Sequence, residues 1–203
     1  MRIVELNREA RENILSGLLK RDPNNYQEYE ATVRQIVDDV RERGDEAVSA
    51  YTEKFDGVRI TPETIRVTEA EIEEAYGLVG KELVGVMERS AKNIREYHEK
   101  QRQYSWFDSR PDGTLLGQKV TPLESAGVYV PGGKAAYPSS VLMNILPAKV
   151  AGVPRIVMVT PPEKNGKVHP VTLVAAHLAG ATEVYKVGGA QAIAALAFGT
   201  GSI

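Results

Sequence analysis

The sequence predicts an α/β protein: a helical amino-terminal region, then a parallel sheet packed between helices. Three observations carry that expectation. The chain changes texture near residue 104, from charged helical patterns to a stretch rich in Ala, Gly and Val. Within that second part, AKVAGVPRIVMVTPP (148–162) matches AHLAGATEVYKVGGA (176–190) at an offset of 28 residues. Each copy runs helix, glycine, apolar strand, breaker pair, and about 30 residues is the length of one βα unit. The strands are also apolar without alternation, as suits a parallel sheet covered on both faces.

The elements follow in order. Residues 5–20 read as a short amphipathic helix closed by Asp22-Pro23. Over 26–43, Tyr29, Val33, Ile36, Val37 and Val40 recur on one face of a 3.6-residue period. Gly44 is placed to end that helix and Asp45 to cap the next, which runs to about Phe55 before an Asp56-Gly57 turn. Residues 64–67 (Thr-Ile-Arg-Val) suit a short strand, and Thr68-Glu69-Ala70-Glu71 has the form of a capping box, so a helix starts there. A long helix over about 80–102 carries Leu83, Met87, Ala91 and Ile94 on its apolar side. YSWFD and TLLGQKV flank Arg110-Pro111-Asp112-Gly113 as a hairpin would. The charges of this half read as solvated helix faces, with no chemistry evident.

In the second part, GVYVPGG (127–133) fits the end of the repeated scheme. Parallel strands joined by right-handed crossovers put their carboxyl ends on one edge. Pro131-Gly132-Gly133, Thr160-Pro161-Pro162 and Gly188-Gly189-Ala190 are therefore expected to line one crevice. Open α/β sheets bind ligands there.

Composition narrows the function classes. The 203 residues are 42% hydrophobic and 26% charged, with a formal net charge of −2, which gives no electrostatic reason to expect nucleic acid. Zero cysteines exclude disulfides, thiolate zinc sites and cysteine nucleophiles in this chain. The amino terminus is too charged for the apolar core of a signal peptide, and no apolar run reaches membrane-spanning length. A cytoplasmic protein is expected.

The candidate residues sit at the sheet edge. VYKVGGAQAIAALAFG is strand, double glycine, helix, an arrangement that exposes backbone N–H groups to an anion or nucleotide. The same glycines also suit a plain βα turn, and no G-x-G-x-x-G occurs. Gln191 is the polar side chain of that helix's first turns, either a solvent-exposed residue or a contact pointing into the crevice. On spacing alone Tyr129 reads as a core aromatic, while its place beside the edge leaves a ligand-stacking role open. His98, His169 and His177 have no metal-ligand spacing and are expected at the solvated surface. Ser139-Ser140 after Pro138 suits a helix start, and neither serine has a triad partner.

GVYVPGGKAAYPSSVLMNILPAKVAGVPRIVMVTPP and HLAGATEVYKVGGAQAIAALAFGTGSI closely resemble histidinol dehydrogenase, as do the earlier VRERGDEAVSAYTEKFDG and LESAGVYVPGG. The resemblance implies a zinc- and NAD-dependent oxidation of L-histidinol through L-histidinal to L-histidine, using two NAD⁺. It implies a homodimer with exchanged segments and incomplete Rossmann-like domains lacking the glycine fingerprint. Tyr129 and Gln191 map to the family's NAD contacts. Family members are about twice this length, so the zinc ligands and the catalytic Glu-His pair are expected in an absent carboxyl-terminal half. No residue here inherits a catalytic or metal role, and the fragment alone is expected to be inactive.

On this basis residues 1–20 form a helical arm and 21–120 the mostly helical part of a first domain that lacks its partners. Residues 121–203 form a truncated Rossmann-like NAD-binding domain. The apolar positions Val33, Ile36, Val37 and Val40 are expected to be partly exposed, favouring self-association. Two alternatives are a relative oxidising another alcohol and a non-catalytic nucleotide-binding or dimerisation module.

Overall fold

The computed structural model describes residues 7–8, 10–12, 26–133 and 135–203. The chain divides into two compact units, Met1–Gln35 and Ile36–Ile203. The helix expected over 5–20, with its Asp22-Pro23 stop, lies largely outside the described residues. In the first unit, residues 10–12 are helical and the Asn7 side chain accepts the Ala10 N–H at 2.7 Å. This unit also holds the opening turns of helix α1 (Gln27–Arg43), where Glu30 and Arg34 pair at 2.9 Å and Tyr29 and Val33 are exposed.

In the second unit, the remainder of α1 buries Ile36 and Val40, while Val37 is half-buried. Of the four positions expected to be partly exposed, Ile36 and Val40 are covered instead, because helix α2 (Asp45–Asp56) brings Ala47, Val48 and Tyr51 against the same cluster. Gly44 rather than Asp45 is the N-cap of α2, and Asp45 is its first residue. Thr68 and Glu71 form the expected capping box at the start of helix α3 (Glu69–Leu78). Helix α4 (Lys81–Glu99) buries Met87 and Ala91 and leaves Leu83 exposed. Strands β1 (Trp106–Ser109) and β2 (Leu115–Gln118) pair antiparallel across the Arg110–Gly113 turn as a hairpin exposed at every position.

Strands β3 (Ser125–Tyr129), β4 (Arg155–Thr160) and β5 (Glu183–Lys186) form a parallel sheet in the order β3-β4-β5. Helix α5 (Pro138–Ala151) links the first pair, helix α6 (Pro170–Ala179) the second, and helix α7 (Gly189–Phe198) follows β5. The repeat read from sequence is visible in the caps: Gly152 after α5 and Gly180 after α6 are both left-handed, with φ 89° and 87°. Only glycine adopts that conformation without penalty.

The apolar strands have two hydrophobic faces because both are covered. Val128, Val130, Ile156, Met158 and Val184 join α3–α6 in one cluster. Val157, Val159, Tyr185 and Val187 join α1, α2 and α7 in the other. The segment expected as a strand at 64–67 makes an isolated antiparallel bridge: Arg66 faces Tyr185, with Val67 N–H to Val184 O at 2.9 Å and Lys186 N–H to Ile65 O at 2.8 Å. It protects the open edge of β5 without becoming a regular strand. Among the described residues no helix is long and apolar enough to cross a membrane.

Candidate functional site at the carboxyl edge of the sheet

The parallel register puts the three breaker pairs on one edge, as the repeat required. They pack on one another around Pro161. A Cβ added at Gly132 would lie 2.9 Å from Pro161 Cγ, and one at Gly188 would lie 2.7 Å from Pro161 Cβ. Both glycines are therefore needed for close approach, and Pro161 is the wedge between the loops that follow β3 and β5.

Tyr129 is the last residue of β3, paired with Val159 of β4, and it is 36% exposed. It is thus an edge residue and not a core aromatic. Its hydroxyl accepts the Gly189 N–H at 3.2 Å, so the end of β3 is tied to the first turn of α7. That turn has Gly188 as N-cap without a side-chain cap, and Gly189 at φ 66°. One of the helix's orphan N–H groups therefore goes to a tyrosine hydroxyl.

Gln191 lies in the same turn, and the structure rules out the solvent-exposed reading. It is 1% exposed, and neither Nε2 nor Oε1 has a hydrogen-bond partner. Gly189 leaves the space for it, since a Cβ there would come within 2.5 Å of Gln191 Oε1. A buried amide with both ends unpaired is costly, on the order of 1–3 kcal/mol per group. At the edge the arrangement presents an aromatic ring and a helix N-terminus, and the donor and acceptor of the Gln191 amide lie buried in the same turn. A helix N-terminus beside an aromatic ring has the chemistry to favour an anionic group. Among the described residues no three His, Asp or Glu side chains gather to hold a metal ion.

An ion pair buttresses the turn from behind. Lys186, 7% exposed in its side chain, donates to Glu71 Oε1 at 2.9 Å. Glu71 also accepts the Thr68 N–H at 2.8 Å through its other oxygen. Burial pushes the Glu71 carboxyl up, but Lys186 and the Thr68 N–H outweigh it and hold it below its ordinary range. At the opposite edge, Arg155 donates to Glu183 at 2.7 and 3.2 Å, and Tyr185 adds a third hydrogen bond at 2.6 Å. Chiefly through the Arg155 hydrogen bonds, Glu183 falls to about 2. The helical charges read from sequence as solvated faces thus include a carboxylate that braces the sheet.

The histidines differ from the surface expectation in two cases. His177 is exposed, bonded through Nδ1 to the Tyr76 hydroxyl at 2.9 Å. His98 is half-buried, 2.7 Å from Gln101 Oε1. His169, also half-buried, caps α6: its Nδ1 accepts the Val171 N–H at 3.3 Å. It lines a cavity of about 260 Å³ with Gly132, Gly133, Thr160, Glu163 and Thr172, beside Pro161. The sequence held one signal for this cavity, a side chain able to cap placed just before Pro170 at a helix start.

A profile of histidinol dehydrogenase matches residues 19–203. Histidinol dehydrogenase of Bacillus subtilis (strain 168) is 59% identical over 177 residues, covering 87% of this chain and 41% of the relative. That of Heliobacterium mobile is 56% identical over 169 residues, covering 83% of the chain and 40% of the relative. The crystal structure of histidinol dehydrogenase from Elizabethkingia anophelis superposes with a TM-score of 0.81 at 36% identity, over 86% of this chain and 40% of that one. The chain therefore spans about two-fifths of the length of the relatives it matches. With the sheet, its glycine edge and these similarities together, the chain belongs to the histidinol dehydrogenase family.

Proposed function

We propose that this chain is the amino-terminal, NAD-contacting portion of a histidinol dehydrogenase, which oxidises L-histidinol via L-histidinal to L-histidine with two NAD⁺ and Zn²⁺. The observation that supports this most is the buried, unpartnered Gln191 amide beside Gly189, the residue that Tyr129 ties to the end of β3. Tyr129 supplies a ring for stacking, Gln191 a paired donor and acceptor, and the first turn of α7 a positive pole for a pyrophosphate. NAD, when bound, supplies the hydride acceptor.

These residues bind and orient; none is placed to take a proton from an alcohol. The zinc ligands and the acid–base pair belong to family segments outside this chain, the assembly is a homodimer with exchanged segments, and the location is cytoplasmic. The Rossmann-like part is residues 121–203, with 21–120 belonging to a first domain and 1–20 to a helical arm. Calorimetric titration of the chain with NAD tests the assignment. Saturable binding that Tyr129→Ala and Gln191→Ala both weaken by about tenfold or more supports it. Affinity unchanged in both variants would overturn it.

A further inference from the structure

The small cavity at the sheet edge has a chemistry that the dinucleotide contacts at Tyr129 and Gln191 leave unused. Thr160 and Thr172 are 2% and 3% exposed, both line it, and no hydrogen bond engages either hydroxyl among the described residues. His169 is fixed by its cap: Nδ1 accepts the Val171 N–H, so the neutral ring carries its proton on Nε2. Glu163 brings a carboxylate, an acceptor only when ionised. The residues that line the cavity therefore carry hydroxyls and an imidazole N–H able to donate and a carboxylate able to accept.

That mixture selects among ligands. A phosphate would meet the like charge of Glu163 in the lining. A metal ion lacks a ligand set, since one carboxylate and one capping imidazole are too few. An apolar group would strand the two threonine hydroxyls. Vicinal sugar hydroxyls satisfy all of them, each OH donating to the carboxylate while accepting from Thr or His. At about 260 Å³ the cavity falls below the roughly 300–1,000 Å³ usual for a whole ligand, and suits one pentose ring as a subsite of something larger. It also abuts Pro161, which touches the Gly188 turn.

We propose that Glu163, Thr160, Thr172 and His169 form a ribose subsite that reads the 2′- and 3′-hydroxyls of the nucleotide cofactor. The proposal rests on the dinucleotide assignment above, and the experiment separates the two. The 203-residue chain, labelled at threonine methyl groups, is titrated by NMR with adenosine 5′-monophosphate, with its 2′,3′-dideoxy counterpart and with inorganic phosphate. The ribonucleotide should shift the Thr160 and Thr172 signals saturably, and the other two should leave them in place. Glu163→Gln should weaken the ribonucleotide about tenfold without altering the weaker binding of the dideoxy compound. Thr160→Val, which keeps the shape, should act in the same direction.

Equal shifts from the two nucleotides, shifts from phosphate alone, or an unchanged affinity in Glu163→Gln would overturn the subsite. If NAD binding depends on Tyr129 and Gln191 while these signals stay still, the subsite falls and the dinucleotide assignment stands. If the threonines respond while NAD binding ignores both residues, the dinucleotide assignment falls and the ribose site stands. Silence in both arms sinks both.

Discussion

Replacing Gln191 with methionine should make the chain more stable while removing its affinity for NAD. The side chain is 1% exposed and neither polar atom has a partner. Each unpaired buried group costs about 1–3 kcal/mol, and methionine fills nearly the same length without polar atoms. A net gain of about 1–3 kcal/mol follows, allowing for imperfect packing of the thioether. For a chain of this size that corresponds to a rise in Tm of roughly 3–9 °C. Urea or thermal unfolding measures the gain, and calorimetric titration with NAD measures the loss. A methionine variant that unfolds more easily than the unmodified chain would refute the reasoning, since it would show the amide to be satisfied in the folded state. Retained NAD affinity would refute the functional half.

Four further outcomes follow. Gly189→Ala should cost about 1–2 kcal/mol for the left-handed backbone at φ 66°, plus a clash with Gln191 that disappears in a Gln191→Ala background; urea unfolding of the double-mutant cycle measures it. Breaking the buried Lys186–Glu71 pair on one side, as in Glu71→Gln, should cost about 2–4 kcal/mol, and converting both residues to Met should recover most of it in the same assay. Glu183 titrates near 2 in the folded chain against an ordinary 4.5, so its contribution is complete above about pH 5 and fades as pH falls toward 2. That lowering is worth about 3 kcal/mol before screening, and about 1–2 kcal/mol once the half-exposed Arg155 is screened by solvent; Glu183→Gln should remove that acid dependence from the unfolding midpoint. The isolated chain should produce no NADH from histidinol and zinc, and measurable zinc-dependent NADH formation would show that the chemistry lies within these residues.

The sequence by itself determined the sheet. Its repeat at an offset of 28 residues, its apolar strands and the glycines at 152 and 180 are local signals, set by backbone conformation and by burial on both faces. It also determined the edge, because parallel strands have no choice about where their carboxyl ends go. The family resemblance picked out Tyr129 and Gln191 there. What the sequence left open were questions of side-chain environment. Gln191 follows a glycine turn and could equally face water; only the packing of α7 onto the sheet buries it without partners. Tyr129 sits in an apolar run, yet its place at the strand's last residue leaves the ring a third exposed and aims its hydroxyl at Gly189. Glu71 reads as a surface charge until β5 brings Lys186 beside it, 115 residues away. The Thr160–Glu163–His169–Thr172 cavity is invisible along the chain because it joins the end of one strand to the cap of the following helix across a loop. Hydrogen-bond partnership and burial depend on distances through space, and only the tertiary structure sets those.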